Sequence, residues 1–244
     1  MRRTFADLHL RVNTKDLTST QRILGKAAEF GYGLVAAPLA PETHEEEIVM
    51  LRRVCAEAGL DFASRVNLRP RSQNDLLSQL RRVRRKFEVV SVQCENKEVA
   101  RQAAKDRRVD LLGFPMLDAR RRFFDRAEAE LASGCLATLE VDVKPLLVLE
   151  GAARVRLISA LRREVAVARE FHLPMVVSSG VSEGMLLRMP RELATVASVF
   201  GLAGDAALDA VSRNPLAVVE RNRAKLSKGF VAPGIRVVRE GEDC

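Results

Sequence analysis

The residues best suited to chemistry are carboxylates and a histidine at the ends of two short apolar segments. Asp7 and His9 lie in the first segment, and Glu140 and Asp142 lie in a much later one. Oxygen and imidazole ligands of this kind could hold a divalent metal ion for phosphoester hydrolysis. The same acids could instead be neutralised by nearby cations, since an unpaired buried charge is costly. The cations in comparable positions are Arg11, Arg65 and Lys144.

The scarcity of histidine favours ion pairing over metal chemistry. The chain has three histidines, and two of them, His44 and His172, stand at the ends of predicted helices. A hydrolytic metal centre usually gathers several neutral imidazoles or carboxylates without cations among them. We therefore predict no catalytic residue and no bound metal in this chain. A magnesium site on Asp7, Glu140 and Asp142 stays open as an alternative.

Basic residues in loops indicate a polyanionic partner. The net charge is +8, and a surplus of fixed cations attracts phosphate-bearing molecules and releases their counterions. Basic runs on helices, at residues 81–86 and 221–225, are more typical of solvated helix faces. Aromatic residues make up 5% of the chain, which favours recognition of phosphate and shape over stacking on bases. The residues predicted to contact RNA are Arg65, Arg69, Arg71, Arg120, Arg121, Arg122, Lys144 and Arg188.

The elements that must position these residues are strands and helices in alternation. Short β-branched segments alternate with longer segments of helical periodicity, a pattern typical of βαβ units and a parallel sheet. Their spacing is close to the ~30 residues per unit of a (β/α)₈ barrel. The predicted strands are 5–9, 32–37, 60–68, 87–94, 109–114, 135–143 and 174–178, and the helices between them are 19–30, 44–57, 73–85, 96–107, 124–133 and 152–171.

The fold class that follows is α/β, a TIM-like (β/α) barrel. The eighth unit lacks a convincing strand because residues 190–202 and 204–226 both show helical periodicity. We therefore predict a barrel that is irregular or lacks a clear eighth strand. Residues 1–228 are predicted to form one domain, and residues 229–244 a short strand with a loose acidic tail.

Alternation along the strands predicts a polar mouth, at the C-terminal strand ends where barrel enzymes keep their active sites. Successive side chains on a strand point to opposite faces, so Asp7, His9 and Arg11 share one face, and Leu8 and Leu10 the other. Because the apolar face should meet the helices, we expect the polar face inside the barrel. The same rule groups Arg65 with Asn67 and Arg69, Ser91 with Gln93, and Glu140 with Asp142 and Lys144.

Cysteine usage and hydropathy point to a reducing compartment. The four cysteines are dispersed and form no C-x-x-C pair, so reduced residues are expected rather than a zinc or redox site. The first residues lack the apolar stretch of a signal peptide, and no run approaches the ~18 apolar residues that span a bilayer. We therefore expect a cytoplasmic protein with no membrane contact.

Seven segments, taken in order, cover most of the chain and carry a resemblance to a known family. They are FADLHL at 5–10, VDLLGFP at 109–115, RRRFFDRAEAELA at 120–132, LEVDVKPLL at 139–147, PMVVSSGVSEGMLLRMPRELATVASVFGL at 174–202, NPLAVVERNR at 214–223 and the closing VAPGIRVV. In this ordered set the chain resembles the archaeal ribonuclease P protein component 3 family, related to the thirty-kilodalton subunit of the eukaryotic enzyme.

The resemblance implies a barrel similar to the PHP phosphoesterase superfamily, working in the ribonucleoprotein that removes the 5′ leader from precursor tRNA. In that family the RNA subunit carries catalysis and uses Mg²⁺. The chain itself would bind no cofactor. Its implied partners are ribonuclease P RNA, protein component 2 and the other protein subunits, with precursor tRNA as the substrate of the complex.

The resemblance also bears on the mouth residues. PHP-like enzymes carry an H-x-H metal motif on the first strand, and here His9 matches its first position while Arg11 stands at the second. This departure implies a relict polar site formed by Asp7, His9, Arg11, Glu140 and Asp142. Two alternatives stay open: a free-standing metal-dependent phosphoesterase of the PHP type, and an RNA-binding barrel of another ribonucleoprotein.

Overall fold

A parallel sheet of seven strands forms the centre of the protein. The computed structural model describes residues 3–227, 230–232 and 235–236. Each strand of the main sheet pairs in parallel with the next one along the chain. The strands are β1 (Phe5–Asp7), β2 (Tyr32–Leu39), β3 (Asp61–Leu68), β4 (Val89–Gln93), β5 (Leu111–Gly113), β6 (Thr138–Asp142) and β7 (Met175–Ser178).

Helices follow the strands and cover the outside of the sheet. Side-chain caps begin several of them: Asp16, before the first helix, accepts a hydrogen bond from the backbone N–H of Ser19 at 3.0 Å, which satisfies an orphan donor of the first turn. The helices are α1 (Leu17–Glu29), α2 (Glu45–Glu57), α3 (Gln73–Val83), α4 (Lys97–Lys105), α5 (Arg126–Ser133), α6 (Lys144–Val148), α7 (Gly151–Glu170), α8 (Pro190–Ser198), α9 (Gly204–Ala210) and α10 (Arg213–Leu226), with a 3₁₀ turn at Ala119–Arg121.

Two apolar clusters show that the sheet is rolled into a barrel. The larger cluster packs the outer face of the sheet against the helices, with Leu24 and Leu161 among its members. The smaller one lies inside and brings together Ala6 of β1, Val89 of β4 and Val176 of β7. Strands this far apart in the sheet order share one cluster because the sheet curls back on itself.

The barrel is nearly closed between its first and last strands. The two strands do not pair with each other in the main sheet. Just beyond their ends, two backbone hydrogen bonds join the segments. The N–H of Gly180 donates to the carbonyl oxygen of His9 at 3.0 Å, and the backbone N–H of Arg11 donates to the carbonyl oxygen of Val181 at 2.8 Å. The seam is therefore joined at the mouth, the end of the barrel where the strands finish.

Helix α10 crosses the opposite end of the barrel, its base, where the strands begin. Val218 and Val219 of this helix belong to the inner apolar cluster. Arg221 donates to Asp110 at 3.0 Å, and Arg223 donates to Glu88 at 2.6 Å. The basic run at 221–225 was expected to be a solvated helix face. Two of its residues, Arg221 and Arg223, instead bind this helix to the residues where the strands begin.

The seven predicted strands and the six helices between them are confirmed, with shifted ends. The main sheet contains no eighth strand within the described residues, as the sequence indicated. Residues 204–226 form two helices, α9 and α10, rather than one. Among the residues described after 228, β8 (Phe230–Ala232) and β9 (Ile235–Arg236) pair antiparallel, where one strand was predicted. The acidic tail, residues 240–244, lies outside the described residues.

One predicted strand face is wrong. Asp7, His9 and Arg11 were expected inside the barrel and Leu8 outside, but Leu8 belongs to the inner cluster. Ala6 of β1 lies in the same inner cluster as Leu8, so the strand alternates regularly but with the opposite face inwards. A turn at residues 8–9 then brings His9 to the interior as well.

Candidate functional site

A buried ion pair lies at the centre of the barrel. Arg65 of β3 is 1% exposed, and its two terminal nitrogens, Nη1 and Nη2, each donate to an oxygen of Glu140 at 2.6 Å. Its Nη1 also donates to the backbone oxygen of Leu8 at 2.7 Å, and its Nε donates to Asn67 at 2.7 Å. The predicted pairing of Glu140 with Arg65 is confirmed. The prediction that Arg65 contacts RNA is wrong, because its guanidinium is buried and bonded to Glu140, Leu8 and Asn67.

Beside this pair, His9 contacts Asp142. The imidazole Nδ1 lies 2.8 Å from Oδ1 and 3.0 Å from Oδ2 of Asp142. The side-chain nitrogen of Asn67 lies 3.1 Å from Nε2, which assigns the histidine proton to Nδ1. Burial alone would raise the pKa of Asp142, but the electrostatic interaction and hydrogen bond with the His9 imidazole, and the positive charges of Arg65 and Arg11 further off, hold that pKa below its ordinary value. Asp142 was expected to pair with a cationic side chain of the mouth, and its direct partner is the imidazole.

Asp7 takes a different position from the one predicted. Its Oδ1 accepts backbone N–H bonds from His9 and Ser179, each at 3.0 Å, and it forms no ion pair with any described residue. Its Oδ2 is buried and has no hydrogen-bond partner among the described residues. Burial raises the pKa of Asp7, and the hydrogen bonds of Ser179 and His9 partly offset that rise. Asp7 therefore anchors the turn after β1 and the segment after β7.

Three of the predicted mouth residues could be considered for a metal. Potential ligand atoms of His9, Glu140 and Asp142 lie within 4.8 Å of one another. However, both oxygens of Glu140 accept from Arg65. A divalent ion placed among these groups would face the guanidinium directly, and its charge would be repelled. His9, Glu140 and Asp142 therefore do not fit a divalent metal while Glu140 is paired with Arg65.

Four of the predicted cations meet at a cavity of about 450 Å³ in the mouth. Arg11 and Arg69 are exposed and have no ion-pair partner among the residues the structure describes. Arg121 lies 3.8 Å from Glu95, a contact exposed to solvent, and such pairs are weak. The fourth cation is Lys144, whose Nζ lies 3.7 Å from a carboxylate oxygen of Glu183.

Arg122 is separated from its neighbours in the basic run by burial. Its Nε donates to Glu164 of α7 at 2.9 Å, and Nη2 contacts the other oxygen of that carboxylate. Its Nη1 donates to the backbone oxygens of Phe114 and Pro115, each at 3.2 Å. The prediction that Arg122 contacts RNA is therefore wrong, because the side chain holds the loop after β5 against α7.

The remaining predicted RNA contacts lie outside the mouth cavity. Arg71 and Arg120 are exposed, and Arg120 lines a separate cavity of about 280 Å³. Arg188 is half-buried, and its guanidinium donates to the backbone oxygens of Met185 and Leu187 at 3.0 Å each. These three residues are not brought together with the mouth cations.

Sequence reasoning missed part of the mouth wall. Helix α6 begins at Lys144, one residue before a proline, and proline is tolerated in a first turn because its missing N–H has no intrahelical partner there. The pattern Lys-Pro could have indicated this helix start. Leu117 and Val148 also line the cavity, and no sequence signal marks either of them.

Comparison with known proteins identifies relatives of the chain. A family model described as RNase P subunit p30 matches residues 4–227. Ribonuclease P protein component 3 of Methanosarcina barkeri is 31% identical over 205 residues, which cover 84% of this chain and 79% of that protein. Component 3 of Methanococcoides burtonii is 25% identical over 235 residues, which cover 96% of this chain and 94% of that protein.

Solved structures show the same fold. A chain in a cryo-EM structure of archaeal ribonuclease P with mature tRNA superposes with a TM-score of 0.85 at 18% identity, covering 98% of this chain and all of that one. A lactonase from Listeria monocytogenes superposes with a TM-score of 0.52 at 10% identity, covering 87% of this chain and 93% of that one. At these identities the likeness shows the fold, a TIM-like barrel with an unsealed seam.

Proposed function

This chain belongs to the RNase P subunit p30 family, and we propose that it is a protein subunit of ribonuclease P that binds the catalytic RNA through the cations of its mouth. The observation that carries the proposal is the contrast between two sets of charges. Arg65 and Glu140 neutralise each other inside the barrel, whereas Arg11 and Arg69 face the mouth cavity without an ion pair among the described residues.

Phosphate neutralisation is the physical role of these cations. RNA strands that pack together repel one another, and fixed cations at the contact replace Mg²⁺ that the RNA would otherwise need. Arginine suits this contact because its planar guanidinium binds phosphate oxygens in pairs. The RNA would carry the cleavage step and use Mg²⁺, while this chain and its small protein partner, component 2, would stabilise the active RNA fold.

The proposal includes a cytoplasmic location, together with the RNA and the other protein subunits. Cys55 and Cys94 are buried and free, which suits a reducing compartment. No helix within the described residues is long and apolar enough to cross a membrane.

Reconstitution tests the proposal. Precursor tRNA cleavage is measured with ribonuclease P RNA over a range of Mg²⁺ concentrations, with and without this chain and component 2. We expect the chain to lower the Mg²⁺ concentration needed for half-maximal cleavage. No shift in the Mg²⁺ requirement, with the chain folded and present at excess, would overturn the proposal.

A second candidate is a free-standing metal-dependent phosphoesterase, favoured by the closeness of His9, Glu140 and Asp142. Elemental analysis of the purified chain separates it from the first candidate. Stoichiometric manganese, iron or zinc, together with phosphoester hydrolysis that Asp142→Asn abolishes, would support it. A barrel serving another ribonucleoprotein is separated by identifying the RNA that co-purifies with the chain.

A further inference from the structure

The mouth cavity has an apolar wall with two exposed aliphatic side chains. Leu117, in the loop after β5, is 73% exposed, and Val148, at the end of α6, is 45% exposed. Both line the same cavity of about 450 Å³. Exposed aliphatic side chains that share one concave wall are a mark of a ligand site. The wall is completed by Phe114, Pro115, Met116 and Pro145.

Two of the four cations of the cavity, Arg11 and Arg69, come from another sector of the barrel, while Arg121 and Lys144 follow β5 and β6 as the apolar wall does. Arg11 follows β1 and Arg69 follows β3, whereas the apolar residues follow β5 and β6. Arg11 and Arg69 also line a smaller cavity beneath the first, next to Asp142. A ligand that fills the mouth therefore meets an apolar surface that carries Arg121 and Lys144, and across from it the cations Arg11 and Arg69, with the carboxylate of Asp142 beside them.

Gln93 adds a neutral polar group between these two surfaces. It is the last residue of β4 and lines both cavities. Its side-chain amide forms no hydrogen bond with any described residue. An amide can donate and accept at once, which suits the polar edge of a planar ring better than an acyl chain. The carboxylate of Glu95 lies in the same wall and offers a further acceptor.

We propose that this cavity holds one unpaired nucleotide of an RNA. The base lies against the wall of Leu117 and Val148, its polar edge meets Gln93, and its phosphate lies towards Arg69 and Arg11. The inference rests on the proposed function, since it requires RNA at the mouth. Sequence-specific contacts to RNA commonly use unstacked bases splayed into protein sites, and the cavity volume falls within the ~300–1,000 Å³ of small-ligand sites.

Photo-crosslinking in the reconstituted complex tests the assignment. Leu117 is replaced by the photoreactive p-benzoylphenylalanine, and the matched control carries the same replacement at Val155, an exposed position on α7 that does not line the cavity. We expect crosslinks from position 117 to map to one unpaired nucleotide of the RNA or its tRNA substrate. The control should give no crosslink at that nucleotide.

Several outcomes would overturn the inference while leaving the proposed function standing. One is an active complex whose position 117 crosslinks to another protein chain. Another is an active complex with crosslinks spread over paired RNA positions, or with none. Loss of the Mg²⁺ effect in reconstitution would instead count against the proposed function itself, so the two failures are distinguishable.

Binding of small probes to the full chain supplies a second measurement. A nucleoside 5′-monophosphate should bind about tenfold or more tightly than ribose 5-phosphate, because a buried base adds that much affinity. Leu117→Ala should weaken the nucleotide several-fold without changing ribose 5-phosphate, and Arg69→Ala should weaken both. Equal affinities for the two probes would overturn the site. If the chain binds the nucleotide tightly but position 117 gives no RNA crosslink, the cavity is a site for a free nucleotide and not for an RNA residue.

Discussion

The two terminal nitrogens of Arg65 lie 2.6 Å from the two oxygens of Glu140, inside the barrel and away from solvent. One contact therefore decides two questions about this protein. It removes an arginine from the set that could bind RNA, and it removes a carboxylate from the set that could bind a metal. The remaining cations, on the loops around the mouth, are left to meet an outside partner.

Removing one partner of this pair should destabilise the barrel. Arg65→Ala leaves Glu140 buried and unpaired, so we expect the free energy of unfolding to fall by about 3–5 kcal/mol. Urea denaturation followed by circular dichroism measures the change. The double variant Arg65→Met with Glu140→Leu should recover most of it, since both charges of the pair are then removed together. A single variant that costs less than about 1 kcal/mol would contradict the assignment.

Alanine substitution of the adjacent residues Arg121 and Arg122 should have different effects, one on RNA binding and the other on stability. Arg121→Ala should reduce the slope of log affinity against log salt by about 0.7–0.9 for each lost phosphate contact, with little change in stability. Arg122→Ala should leave the slope unchanged but lower the free energy of unfolding by about 3–5 kcal/mol, because Glu164 loses its partner. Filter binding over a salt series and urea denaturation give the two readouts. An equal change of slope in both variants would disprove this division of roles.

Arg69→Ala should raise the Mg²⁺ concentration that the reconstituted complex needs for cleavage. The physical reason is the loss of one fixed cation at the RNA contact, which Mg²⁺ must replace. The matched control is Arg163→Ala, an exposed arginine on α7 outside the mouth. Cleavage rates across a Mg²⁺ titration give the measurement. Equal shifts in the two variants would mean that the mouth is not a specific contact.

Glu128 should make stability fall as pH rises towards neutrality. Burial, followed by the hydrogen bond and charge of Asp125, raises its pKa from 4.5 to about 7. Between these values the folded state holds a proton that the unfolded state releases, so this stabilisation is full below about 4.5 and is lost as pH passes 7. Glu128→Gln should make the free energy of unfolding depend less on pH, and should raise it by on the order of 1 kcal/mol near pH 8. Unfolding measured from pH 5 to 8 tests it, and an unchanged slope in the variant would refute it.

The barrel could be predicted because its signal is local. Each strand is a short run of β-branched residues between helical segments, so the seven strands were found in their correct order. The face of β1 was not, because Ala6 and Leu8 belong to the inner cluster, and alternation of polar and apolar residues does not by itself say which face points inwards.

The candidate site was likewise predicted only in part. Gln93 and Glu140 were expected on inner strand faces, and both lie there. Arg65 and Arg122 were misjudged because burial depends on partners that lie 75 and 42 residues away, Glu140 and Glu164. A basic loop and a buried basic pair look alike in a sequence. Only the packing of distant segments separates them.

Helix α10 has a consequence for how the chain reaches its native state. Asn222 donates to the backbone oxygen of Glu88, 134 residues earlier, at 2.7 Å, and Val218 completes the inner cluster. During synthesis all seven strands therefore leave the ribosome before the part that plugs their lower end. Until residues 213–226 arrive, water can reach Val89 and Val176 from below. We therefore expect closure of this floor to follow formation of the strands, since contacts of such long sequence separation form slowly.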